Sequence, residues 1–169
     1  MKSVKTAALF GALSLVFMGC PYESKFPISQ ASGAKADKSL AGKWEEKGSD
    51  TYLWTVTLED NIYKIVKKST DDASSEPSVY RGHLSTIGTT TWMNVYEVEE
   101  SEAEEKKWYI YKVEKKGDSG DMVKLHAMTD NITEEFMDAA ELTKFIKENM
   151  HLSFFYNKDD KKSFYKADD

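Results

Sequence analysis

One cysteine, three prolines and nine glycines are spread over 169 residues. A single thiol excludes an intrachain disulfide framework and any zinc site built from paired cysteines. Pro and Gly this sparse exclude a collagen-like or low-complexity chain. No apolar run approaches the ~20 residues a membrane-spanning helix needs, and the mean hydropathy is -0.58. A basic excess is missing too. The 23 Lys and Arg are outnumbered by 29 Asp and Glu, the opposite of a nucleic-acid footprint. Catalytic signatures are absent: there is no Gly-x-Ser-x-Gly elbow, no His-Glu-x-x-His and no phosphate-binding Gly loop. His83, His126 and His151 fall on separate expected elements, without the short spacing of a metal site. The reading is a non-enzymatic protein without cofactor or metal.

What is present begins at the amino terminus. Residues 1–5 carry two Lys and no acid, and residues 6–19 form an uncharged apolar stretch of 14 residues. Positive charge, short apolar core and small residue, in that order, are the layout of a secretory signal peptide. The stretch ends in Val16-Phe17-Met18-Gly19-Cys20, with the chain's sole cysteine last. This resembles the lipobox of bacterial lipoproteins. The resemblance implies cleavage after Gly19, diacylglycerol on the Cys20 sulfur and a lipid-anchored envelope protein. Two or three acyl chains anchor stably where one is marginal. Without residues 1–19 the net charge moves from -6 to -8. Pro21 stands where the resemblance would place an inner-membrane retention Asp, which favours the outer membrane, with its face undecided.

Residues 20–39 are small and polar without a period and read as the lipidated Cys20 and a flexible tether; residues 40–169 read as one domain. From residue 40 the pattern becomes alternation, the mark of half-buried strands. Strands are expected at 42–47, 52–58 and 62–67 around an Asp60-Asn61 turn, then at 79–87, 90–98, 107–114 and 121–128. The acidic run 97–105 reads as a solvated hairpin loop, since its spacing does not fit an EF-hand. Asp138-Ala-Ala-Glu141 has capping-box spacing, and Leu142, Phe145, Ile146 and Met150 follow at helical spacing, so a helix is expected over about 139–149. A shorter helical turn is expected at 134–137. Two aromatic strands, 152–156 and 163–165, close the chain on either side of a charged turn at 157–162. The fold class is mainly β: an antiparallel meander closing into a lipocalin-like barrel or half-barrel, with a late α-helix before the last strands. Closure removes exposed edges.

Gly42-Lys-Trp44 on the first strand resembles the opening of lipocalins and other calycins, where the Trp closes the barrel base. More broadly, Cys20-Pro-Tyr-Glu-Ser-Lys25, Gly42-Lys-Trp44, His83-Leu84, the Glu141–Asn149 helix and Ser153-Phe-Phe-Tyr156 resemble a group of uncharacterised bacterial lipoproteins. That resemblance implies architecture and no chemistry.

Trp92, Asn94 and Tyr96 share one face of their strand, as do Arg81, His83 and Ser85 on the strand before. Polar groups among aromatics on a barrel interior would suit a small amphipathic ligand, so Arg81, His83, Trp92, Asn94 and Tyr96 are the candidate ligand-binding residues. The rival is one core face and one ordinary exposed face. Glu134, Glu135 and Glu141 are better explained by helix capping than by catalysis. The leading function is small-ligand binding, with an adaptor for an envelope protein, using the acidic loop at 99–105 and exposed aromatics, as the alternative. An enzyme with a dispersed site would have to use Arg81, His83 and His126.

Overall fold

A computed structural model describes residues 21–98, 106–117 and 120–167, with the backbone alone at 159 and 160. The signal segment, Cys20 and the acidic loop at 99–105 lie outside the described residues. Among the described residues no helix is long and apolar enough to cross a membrane.

After a two-residue strand β1 (Glu23–Ser24) come β2 (Gly42–Glu46), β3 (Tyr52–Glu59), β4 (Ile62–Ser69), β5 (Ser78–Ile87), β6 (Thr90–Glu97), β7 (Trp108–Lys116) and β8 (Met122–Met128). Helix α1 (Ala139–Asn149) and β9 (Tyr156–Lys166) follow. From β2 to β9 every strand pairs antiparallel with its neighbour in sequence, and β9 returns to β2 through Trp44↔Lys166, Glu45↔Tyr165 and Glu46↔Phe164. The sheet therefore closes as an eight-stranded up-and-down barrel, which leaves no free edge. The additional β1 lies beside the first residues of β7, Glu23 opposite Tyr109.

The turns follow local chemistry. Asp60 takes φ 55° in the Asp60-Asn61 hairpin, and Gly88 takes φ 62° between β5 and β6; both need the left-handed region that short hairpins demand. Gly82 answers a different need. A Cβ there would stand 2.7 Å from the backbone oxygen of Asn94, so β5 and β6 approach closely only because the side chain is missing.

The expected helix is present. Asp138 caps it, its carboxylate accepting from the amides of Ala140 and Glu141 at 2.8 and 2.9 Å, while Glu141 accepts from Met137 N at 2.9 Å. Leu142 and Ile146 are fully buried.

Four expectations are corrected. Residues 134–137 form no helix; Phe136 instead packs against Phe145 and Tyr22. Residues Ser153–Phe155 form a 3-10 turn rather than a strand. The charged stretch 157–162 is no turn: it lies inside β9, where Lys161 and Lys162 pair with His126 and Leu125. Pairing with β8 overrides the turn-like composition, and the charged side chains of Lys158 and Lys161 face water. Nor do residues 21–39 hang free as a tether. Ser24 and Ile28 are buried, and Asp37 is held by Tyr63, whose hydroxyl accepts from Asp37 N at 2.6 Å and donates to Asp37 O at 3.0 Å. The segment runs along the outside of the barrel and then closes one end, because its apolar residues have barrel surface to cover.

Candidate functional site

Two apolar layers result. The outer one is Ile87, Trp92, Ile110 and Met128 of the barrel packed against Ile28, Leu142, Ile146 and Phe155. The inner one is the lumen, where Leu40, Trp44, Tyr63, Leu84, Met93, Val123 and Phe164 are buried.

One end of the lumen is shut. Trp44 Nε1 donates to Leu40 O at 2.9 Å, and Lys115 Nζ lies 2.6 Å from Asp37. Together with Tyr63 this fastens the segment before β2 across the start of β4 and the end of β7. The other end opens between the end of β4, the start of β5, the end of β6 and the start of β7. Between them a cavity of about 350 Å3 remains, with predominantly apolar walls that include Val56, Ile65, Val95, Val113 and Leu125. Ligand sites commonly span about 300–1,000 Å3 and combine apolar walls with a few polar groups. The polar groups here gather near the open end: Glu23, Lys67, Tyr80, Glu97 and Tyr109. Burial, with Glu23 and Glu97 nearby, pushes the Tyr109 hydroxyl up to about 12, and burial also raises Tyr80. Both phenols are therefore neutral donors at physiological pH. Trp54 stacks on Tyr80 at 6.2 Å and meets Phe164 edge-on at 5.5 Å; its Nε1 is buried without a partner.

Arg81, His83, Trp92, Asn94 and Tyr96 do not line this cavity. They are brought together, since Arg81↔Tyr96, His83↔Asn94 and Ser85↔Trp92 are cross-strand partners, but on the outer face. Alternation places Met93, Val95 and Glu97 inward, so even-numbered β6 residues point away from the lumen. Trp92 and Asn94 are nevertheless fully buried, because the amino-terminal segment and α1 cover them. Asn94 Oδ1 accepts from Ile28 N at 2.8 Å, and its Nδ2 donates to His83 O at 3.2 Å and Ser85 Oγ at 2.8 Å. His83 Nε2 lies 2.6 Å from Ser29 O, and the hydroxyls of Ser29 and Ser85 are 2.6 Å apart. A carbonyl only accepts, so Nε2 carries the proton. Burial lowers the His83 pKa, which keeps the ring neutral near pH 7. This cluster fastens the segment after Cys20 to the barrel wall. Tyr96 meets Trp108 at 4.8 Å under Lys106, and Arg81 reaches Glu59 at 3.4 Å on the surface.

The histidines stay apart. His126 sits on the outer face with Nε2 3.3 Å from Glu114, beside Lys112, while His151 is exposed. No group of metal-ligating side chains occurs among the described residues. The lumen residues escaped sequence reading because both faces of β5 and β6 are buried. Lys67, the cation on the face of the β3–β4 pair that also carries Trp54 and Ile65, is the signal available.

No known protein family, curated protein or solved structure matches the chain.

Proposed function

We propose that this is a lipid-anchored bacterial envelope protein, tethered through acyl chains on Cys20, that binds a small, largely apolar ligand in its barrel without chemical turnover. The observation that carries the reading is the lumen: a closed barrel with about 350 Å3 left open behind one polar rim. A side-chain-filled barrel would favour the adaptor reading instead. The anchor fits the layout, since Pro21 and Glu23, one and three residues after Cys20, line the cavity at its open end. A ligand leaving or entering there passes close to the membrane on which the anchor sits.

Native mass spectrometry of the protein purified from its own host tests this reading. A retained small molecule is expected in wild type and should be lost when Val113→Phe fills the lumen. An empty barrel in both, beside a co-purifying protein, would replace ligand binding with the adaptor role. Metabolic labelling with a fatty-acid analogue should mark the wild type and spare Cys20→Ala.

A further inference from the structure

Four charged side chains line the cavity, and three are engaged. Glu23 accepts from Tyr109 Oη at 3.3 Å and pairs with Lys107 at 3.2 Å. Glu97 accepts a hydrogen bond from Tyr80, its cross-strand neighbour. Lys162 has an interaction of its own. Lys67 differs. Its Nζ lies 4.0 Å from the centroid of the Tyr52 ring and 5.3 Å from that of Trp54. No carboxylate of the described residues is within 4.0 Å of it. A cation over ring faces is held more weakly than one hydrogen-bonded to an anion, and its three N–H donors stay available. Among the described residues, Lys67 is thus a lining cation whose charge meets only ring faces.

Its position is also informative. Lys67 is two residues from the end of β4, at the open rim, while Ile65 and Tyr63 follow on the same inward face toward the shut end. Charge at the mouth and apolar wall below suit a molecule with one polar end.

Resting on the lumen as a ligand site, we propose that the ligand is a single-chain amphiphile with an anionic head, a carboxylate or a phosphate monoester. The head engages Lys67 Nζ at the rim, and the chain lies inward among Val56, Ile65, Met93 and Val123. Glu97 sits two strands away with Tyr80 between, its carboxylate hydrogen-bonded to the phenol.

Calorimetric titration of the chain from residue 21 onward, which contains the whole barrel, with decanoate, decyl phosphate and decanol provides the test. At least one anion should bind about tenfold tighter than decanol, the size of one charge-assisted contact. Lys67→Gln should remove that preference while leaving decanol within about twofold, and Lys67→Arg should keep it. The tighter anion distinguishes a fatty-acid source from a phospholipid-derived one. If decanol binds as well as both anions, or Lys67→Gln leaves the preference intact, the anionic head is refuted while the lumen stands as a site. If none of the three binds, the lumen reading falls and the inference with it.

Discussion

The inner and outer apolar layers share strands β5, β6 and β8, yet they hold different amounts of space. Outside, Trp92 and Ile110 meet Leu142 and Ile146, and polar atoms at the centre of the layer are taken up by Asn94, His83, Ser85 and Ser29. Inside, Trp44 and Tyr63 fill the shut end, and the half toward the rim is open. The outer layer behaves as a packed core, although Trp92 Nε1 is buried in it without a hydrogen-bond partner. The inner one is only half a core, and a barrel can leave it so because its backbone pairs are complete without it. With the lumen as the proposed ligand site, stability and binding fall to opposite faces of one sheet.

Substitutions that separate the faces sharpen this division. The largest effect is expected from Leu142→Asp. Leu142 is fully buried between α1 and the barrel, and an unpaired carboxylate there should cost about 4 kcal/mol. Chemical denaturation followed by circular dichroism reads the loss. A midpoint like wild type would mean that α1 is not part of the cooperative unit.

Asn94→Ala should cost less, about 2–3 kcal/mol, because it strands the Ile28 amide and removes the partner of His83 O. It also has a readout that Leu142→Asp lacks. With the amino-terminal segment unfastened, limited proteolysis should cut within residues 21–33 before the barrel unfolds. Cleavage at the wild-type rate would show that the cluster does not hold the segment.

How much of this was legible in the sequence depends on how many faces each strand buries. The Asp60-Asn61 turn and the branched and aromatic runs on either side make the β3–β4 hairpin legible. The helix was read to its ends because its cap and apolar stripe are local signals. The closing strand is legible only in part, since Asn157 to Lys162 has the composition of a turn and only its pairing with β8 makes it a strand. At β5 and β6 both faces are buried, so composition could not say which is the lumen. A shift of one residue exchanges them, and the polar cluster was assigned inward when it faces outward. The amino-terminal segment did carry a signal: Tyr22, Phe26 and Ile28 are too apolar for a solvated linker, and all three pack in the outer layer.

Filling the lumen should be nearly silent for stability. Val113 lines the cavity, and Val113→Phe has open space to enter, so a change within about 1 kcal/mol is expected where a packed core would lose about 1–3 kcal/mol. Binding of decanol and of the anions should fall together. Destabilisation comparable to Asn94→Ala would mean that the lumen is packed after all.

The smallest effect is electrostatic and belongs to the outer face. Burial lowers the pKa of His83, and burial, more than Glu114 raises it, lowers that of His126. The unfolded chain then binds protons that the folded chain refuses, so stability is fully present above about pH 6.5, the ordinary histidine value, and declines as the pH falls below it. Each group contributes a slope of at most about 1.4 kcal/mol per pH unit, confined to the interval between its two pKa values. His83→Gln keeps a donor for Ser29 O but cannot take up a proton. Denaturation midpoints at pH 7.5 and 5.0 should therefore lie closer together in His83→Gln than in the wild type. His126→Gln should narrow the gap less, because Glu114, 3.3 Å away, stabilises its charged form in the folded state. An unchanged gap in His83→Gln would show that the outer layer admits a charged imidazole, and the contrast between a sealed outside and an open inside would then be weaker than the packing implies.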